Sequence, residues 1–536
     1  MSRVLILLVI IVSHVSGQLI PERFSLHKTL GDTSLSYYND STSSAGLASN
    51  SIIDIRMAGD SILFFGTSRG LSLTPDLGNT FRSYIADVVD LPEGGISALD
   101  LNGSLVAVAS LVDTMIGQVG EVKGGGMSFS TDTGNTWIWE PQSTEDLGDS
   151  AFTTFQWADG HTIRQLAVTT TIRNVTYDVA ATPGVIWTTS WAGGLRRYEI
   201  SSGQWTPVPL PRDDDTTFTC EDIPADYELN SRDPIDGGNH NHKAFSVVAY
   251  DSVIWVGTAA GVNRGIIDTT TGCISWTHFK AQWGVRTISG NWVVALHRQT
   301  LSSGRDRIWA ATVHAEDASE VMGVSFTEDD GVTWYVSLRG ERAHNITSSG
   351  EAVYVATDNG LYKSFDGLNW ARFKTATDNI TGEEVWAEQA YGAAFDTRDS
   401  TLWIGTPDGL ARTQDHGVTW DIERSYVSTA SSGEDRFYVY PNPFYLAEDN
   451  YRDGRGHVRF QYHLTGSEVP ITAKISIYDF AMDPVIVLSR PHSSSGDFSQ
   501  VWDGRNEAGY QVANGVYYCR LRLGLLERWT KVMVIK

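Results

Sequence analysis

LWIGTPDGLARTQDHGVTW, residues 402–420, holds two phrases that recur along the chain and decide its fold. The first is a short apolar strand, then Gly-Thr, two variable residues, Gly and an aliphatic residue. Leu402–Ile404 has the branched and aromatic content of a strand, and Gly409 supplies the positive φ that a tight hairpin turn demands, so the phrase reads strand, turn, strand. The second runs Thr413-x-Asp415-x-Gly417-x-Thr419-Trp420. Its carboxylate can accept backbone N–H groups across a turn, its glycine can adopt the left-handed conformation, and its ring can pack between sheets.

Copies of the first phrase are ILFFGTSRGL (62–71), IWVGTAAGV (254–262) and VYVATDNGL (353–361), with a looser IWTTSWAGGL (186–195). In VAVAS (106–110) and IWAAT (308–312) an insertion replaces the turn. The second phrase recurs as TPDLGNTF (74–81), STDTGNTW (130–137) and TEDDGVTW (327–334), and in a shorter form as SFDGLNW (364–370). Another apolar stretch precedes each first phrase, as in 51–57, 244–250 and 391–397. The Thr or Ser ending the second strand falls at positions 67, 110, 190, 258, 312, 357 and 406. A four-stranded propeller blade takes about 40–45 residues. The spacing therefore predicts an all-β fold, a seven-bladed β-propeller over 50–424, with insertions filling the longer intervals. An eighth, degenerate blade around 152–171 is the alternative, but that stretch lacks both phrases.

These motifs resemble the Asp-box repeats of bacterial neuraminidases and many other propellers, and the Gly-Thr-x-x-Gly-Leu phrase resembles the propeller repeat of two-component sensor ectodomains. The resemblance implies architecture and no particular activity. It makes Asp76, Asp132, Asp329, Asp366 and Asp415 folding elements away from any active site. A single turn carboxylate also falls short of the six to eight oxygens that calcium prefers.

At 536 residues the chain exceeds what one hydrophobic core normally holds, which agrees with a repeat array plus a further domain. The formal net charge of −24 argues against nucleic-acid partners, whose phosphates attract Lys/Arg patches. Residues 1–17 carry Arg3, an apolar run over 4–12 and small residues Ser16 and Gly17, and read as a signal peptide. The run is much shorter than the roughly 20 residues of a membrane span, and no later segment comes close, so the expectation is an exported bacterial protein without a transmembrane segment. Residues 18–49 form an N-terminal segment of no assigned structure. Of the three cysteines, Cys220 and Cys273 either bridge, which export permits, or remain buried thiols.

In a propeller the links from strand 2 to 3, and from strand 4 to the next blade, share one face, whereas the Asp turns lie on the other. Insertions 111–126, 141–172, 211–243 and 313–322 all fall on the first face, which is where a binding or catalytic site is expected. The richest, 211–243, contains Asp213, Asp214, Asp215, Glu221, Asp222, His240 and His242. The candidate binding residues are His240, His242, Asp215 and Trp191. Two alternating histidines before a strand could hold a metal with a nearby carboxylate, or bond the turn backbone. No third ligand is identifiable, so no metal or other cofactor is assigned. Trp157 and Trp191 suit stacking on sugar rings and equally suit inter-blade packing. Neuraminidase chemistry lacks its Phe/Tyr-Arg-Ile-Pro motif here, with Ile55-Arg56-Met57 the nearest echo.

After a small-residue linker, 425–437, the pattern becomes alternating strands: 457–464, 471–480, 484–490, 515–523 and 529–536. About seven short strands in some 100 residues indicate an immunoglobulin-like sandwich over 438–536. VWDGRNEAGYQVANGVYYCRL (501–521) resembles the Ig-like domain of the flagellar hook-capping protein. With YPNPF (440–444) and the terminal KVMVIK, the region resembles the C-terminal sorting domain of type IX secretion cargo. That resemblance implies a partner, a type IX-like translocon, and a secreted or cell-surface location. Three functions remain open: a binding propeller for a polysaccharide or protein ligand, a secreted glycoside hydrolase or lyase with channel carboxylates, and a sensor ectodomain.

Overall fold

The computed structural model describes residues 46–536 apart from 59–61, 85–90, 92, 118, 146–150, 159, 169–170, 173, 283–285, 314–319, 379–381, 425–436 and 467. The expected signal peptide, most of the N-terminal segment and most of the linker lie outside the described residues. No helix among the described residues is long and apolar enough to cross a membrane.

Residues 52–423 form a succession of antiparallel sheets, each built from strands consecutive in sequence; six have four strands, and one gains a fifth, Thr217–Phe218, on its outer edge. The innermost strands are Ile52–Ala58, Gly95–Asn102, Thr176–Thr182, Ala244–Tyr250, Trp292–Thr300, Ala343–Ser349 and Gly392–Asp396. Each packs against the next, and the last packs against the first, so the sheets close into a ring. We number the blades 1 to 7 in that order. The ring is shut without a strand shared between blades 7 and 1. Instead Gly409 N–H donates to the Asn50 carbonyl at 2.7 Å, and Trp403 meets Phe65 with ring centroids 5.7 Å apart.

The Asp turns fasten the five blades that carry them, 1, 2, 5, 6 and 7, to the blade before. In blade 2, Asp132 accepts the Thr136 N–H at 2.8 Å and the hydroxyls of Ser130 and Thr136, both at 2.7 Å. These bonds hold the carboxyl down at about 2. Two successive residues are left-handed in most of these turns: Thr133 and Gly134, Asp330 and Gly331, His416 and Gly417. Only the glycine was expected. At Gly331 (φ 92°) a Cβ atom would lie 2.5 Å from the Phe279 ring of blade 4, so the turn requires glycine for close approach as well as for φ. Gly134 meets Phe64 of blade 1, Gly78 meets Trp403 of blade 7, Gly367 meets Trp309 of blade 5 and Gly417 meets Phe373 of blade 6 in the same way.

The long interval after blade 2 does not build another blade. Phe152–Trp157 and His161–Leu166 pair with Glu228–Leu229 from the 211–243 insertion in a separate three-stranded sheet. The 111–126 insertion prolongs a hairpin and reaches the same region, where Gly124 N–H donates to the Thr171 carbonyl. Three of the inserted segments therefore meet on one side, as their position in the blades requires.

Residues 437–535 form a two-sheet sandwich of eight strands. One sheet holds Phe437–Tyr440, Val458–Leu464 and Gly496–Trp502; the other has the order Phe444–Tyr445, Leu526–Ile535, Gly515–Leu523, Ile471–Tyr478, Pro484–His492. Phe460, Tyr462, Ile475, Ile477, Trp502, Cys519, Val532 and Val534 fill the core between them. The outer face of the three-stranded sheet docks on blades 6 and 7. Asp408, in a turn of blade 7, receives Arg459 Nε at 2.7 Å and Nη2 at 2.5 Å, Arg424 Nη2 at 3.3 Å and the Trp386 N–H at 2.7 Å. Glu383 receives Arg490 at 2.9 Å, Arg424 at 3.0 Å and the Ser499 hydroxyl at 3.1 Å. The side chains of Asp408, Arg424 and Arg459 are each 1% exposed. Burial opposes ionisation of Asp408, but the two guanidinium groups outweigh it and hold the carboxyl below its usual range. A buried ion cluster is favourable only when every charge is bonded in this way.

Candidate functional site

An innermost propeller strand has one edge paired to strand 2 and one edge turned to the channel, whose N–H and C=O groups need partners. Polar inner-strand side chains supply them, blade to blade. Arg56 Nε donates to the Leu99 carbonyl; Ser97 Oγ donates to the Thr176 carbonyl; Asp100 accepts the Ala181 N–H; Asp178 accepts the Val247 N–H; Ser246 Oγ donates to the Val293 carbonyl. Gln299 Nε2 donates to the Gly350 carbonyl, and His297 bonds Ser348 Oγ at 2.8 Å. Asn345 of blade 6 reaches past blade 7 to donate to Asp54 of blade 1 at 2.7 Å. Gly392 permits that reach, since a Cβ there would sit 3.1 Å from Asp54 Cα.

Electrostatics follow from this placement. Burial, reinforced by the charge of Arg56, pushes His297 down to about 3, so it is a neutral channel residue. Burial raises Asp100 although Arg56 attracts its charge. The channel carboxylates Asp54, Asp100 and Asp178 each accept a hydrogen bond from another blade and so staple the blades together.

Above the channel, on the insertion-bearing face, aromatic side chains from blades 3, 4 and 5 converge. Trp191 lies with ring centroids 5.6 Å from both Phe245 and Trp292, and Phe245 lies 5.8 Å from Tyr177. Leu111, Val175 and Ala259 complete the cluster. Tyr177 and Phe245 are fully buried; Trp191 and Trp292 are half-buried and supply the cluster's accessible surface. Lys243 Nζ stands 4.8 Å over the Trp191 ring.

The candidate residues of the 211–243 insertion are not brought together with this cluster as a ligand set. His240–His242 is a single 3₁₀ turn, not the start of a strand, so the two rings do not share a side. His242 points inward: its Nδ1 accepts the Asn230 N–H at 2.9 Å and its Nε2 donates to the Leu210 carbonyl at 3.1 Å. Burial pushes it down to about 4. His240 faces outward with Nε2 3.6 Å from Asp233. Asp215 accepts the Arg212 N–H through its carboxylate and a His278 bond through its carbonyl. Asp213, named among the acidic residues of this insertion but not among the candidate binding residues, accepts the N–H groups of His240 and Asn241. Cys220 and Cys273 form a disulfide that ties this insertion to blade 4. Among the described residues no group of three or more His, Cys, Asp and Glu could hold a metal. Trp157 is fully buried in the core of blades 3 and 4 and does not belong to the mouth. Phe245 and Trp292 escaped the sequence reading; the one signal was an aromatic at the opening of consecutive inner strands.

The profile of the FlgD Ig-like domain matches residues 448–522. No curated protein matches the chain by sequence. Among solved structures, an ancestral GH74 enzyme is 13% identical, covering 91% of this chain and 63% of its own, with a TM-score of 0.47. YCF48 from Cyanidioschyzon merolae is 14% identical over 68% of this chain and 94% of its own, TM-score 0.39. PorZ, a surface component of the type-IX secretion system of Porphyromonas gingivalis, is 13% identical over 91% of this chain and 75% of its own, TM-score 0.25. With such scores none of them carries the fold assignment, which rests on the sheets.

His242 is neutral when folded down to about pH 4 and titrates near 6.5 when unfolded, so the unfolded chain binds the extra proton between those values and stability falls as pH drops through that window. His242→Asn is expected to lower the urea midpoint at pH 7 and to flatten this acid limb by up to one proton, measured from midpoints at several pH values. An unchanged limb would mean that the ring is not buried as described.

Proposed function

We propose that this protein is an exported, cell-surface or secreted propeller that binds a glycan at the insertion-bearing face and does not cleave it. The observation that carries the reading is the pair of half-buried rings, Trp191 and Trp292, at the mouth of a channel whose carboxylates are already bonded. Large rigid rings give contact area at low entropic cost and stack on the apolar faces of sugars. Glycoside cleavage by two carboxylates needs one to deliver a proton and the other to stay free for a water or the sugar, about 5–9.5 Å away. Asp54, Asp100 and Asp178 are instead committed to Asn345, Ala181 and Val247. Trp191 also packs on Phe245, so the rings serve the core and the surface together.

Trp191→Ala with Trp292→Ala is expected to lower retention on a polysaccharide array by about tenfold or more, taking about 1.5 kcal/mol or more for the lost apolar contact of two rings. Product release by the unaltered protein would make it an enzyme and overturn the binding reading. Retention unchanged in the double variant would move the site elsewhere.

The sandwich, by its likeness to type IX cargo domains, is proposed as the sorting element through which a type IX-like translocon handles the chain. Its final strand, Leu526–Ile535, is an outer strand for most of its length, since Phe444–Tyr445 pairs only with Val534 and Ile535. The Asn442 side chain covers the edge at Lys531 and Met533, accepting the Met533 N–H and donating to the Lys531 carbonyl, so strand addition by the translocon would displace that one side chain. Removing 531–536 is expected to leave the protein in the periplasm of a host with that machinery, read by fractionation. Surface delivery of the truncated chain would contradict this role.

A further inference from the structure

Charge is divided unevenly between the domains. Residues 437–536 carry 11 Lys/Arg and 10 Asp/Glu, a net +1, whereas the whole chain is −24, so the rest carries −25. Within the sandwich the division is sharper. Docking on the propeller uses the outer face of the three-stranded sheet, through Arg459 and Ser499. The five-stranded sheet lies across the core, and its outer face points away from the propeller.

That outward face interleaves cations with large apolar side chains. Lys474, Arg520, Arg522 and Lys531 stand on three adjacent strands, and Glu527, paired with Arg522, is the acid among them. Val516 lies opposite Met533, and Arg520 lies opposite Trp529. The Arg520 guanidinium sits 5.4 Å over the Tyr478 ring and 5.6 Å over the Trp529 ring. Trp529 is 49% exposed, Met533 46% and Val487 54%, in a face where a solvated sheet would carry small or charged residues.

We propose that the outer face of the five-stranded sheet docks on an anionic, phosphate-bearing lipid surface. The face is broad, about 20 Å across five strands spaced near 4.8 Å, and offers a plane rather than a groove. Lys and Arg reach the phosphates while Trp529, Tyr478 and Met533 sit at headgroup depth, where amphipathic rings are favoured. The acidic propeller is held on the far side, away from the like charge it would otherwise meet.

Cosedimentation of the full chain with phosphatidylcholine vesicles, with and without phosphatidylglycerol at about one lipid in four, tests this. Expected is partition to the anionic vesicles only, lost at high salt, and reduced about tenfold or more by Lys474→Gln with Lys531→Gln, two exposed residues whose replacement leaves the unfolding midpoint unchanged. Binding to neither vesicle, equal binding to both, or full binding by the double variant would overturn it. Retention on polyglutamate without vesicle binding would also overturn it, in favour of an acidic protein partner. None of these readouts depends on the glycan site at the propeller mouth.

Discussion

The channel-side edges of the inner strands set the terms for the rest of the molecule. A ring of separate sheets leaves each innermost strand with unpaired N–H and C=O groups turned to the axis, where water is scarce and an unmet group is costly. Here the remedy is a relay of polar side chains that bond the backbone of the next blade, as Arg56 does on Leu99 and Asp178 on Val247, closed by the side-chain bond from Asn345 to Asp54 past blade 7. The channel carboxylates thereby join the blades, and the half-buried aromatic surface lies above them at the mouth.

The same accounting explains how the second domain is held. Arg459 would be an unpaired buried charge on the sandwich without Asp408 and Glu383, and Asp408 would be left with only Arg424 and the Trp386 N–H on the propeller. Breaking one side of such a cluster leaves buried charge behind, at a cost of about 3–5 kcal/mol, so the sandwich is a fitted part of the molecule. Its seat on blades 6 and 7 occupies the face that the insertions decorate elsewhere. The seat also fixes which sheet of the sandwich looks outward.

Much of this was legible in the sequence because its signals are local. Strand, turn and second strand lie within ten residues in 402–410, and the Asp turn within eight in 413–420, so the repeats and the change of pattern after 424 could be read directly. The match of the FlgD Ig-like domain to 448–522 falls inside the sandwich so marked out. What could not be read depends on neighbours distant in the chain. Asp408 looks like an ordinary turn residue in TPDGL, yet its partner Arg459 is 51 positions away in another domain. His240 and His242 read as an alternating pair just before a strand, but Asp213 captures the N–H groups at 240 and 241 and bends them into a turn. Trp191 and Trp292 come from blades 3 and 5 and meet only when both pack on Phe245 of blade 4.

Ring closure is most directly tested at the side-chain bond that crosses the channel, Asn345 to Asp54, 291 positions apart. A double-mutant cycle with Asp54→Ala, Asn345→Ala and both together, followed by urea unfolding, isolates their interaction from the separate contacts of each. A coupling of about 1.5 kcal/mol or more is predicted for a buried hydrogen bond to a carboxylate. Strict additivity would contradict the account, because blades 6 and 1 would then not be joined across the channel.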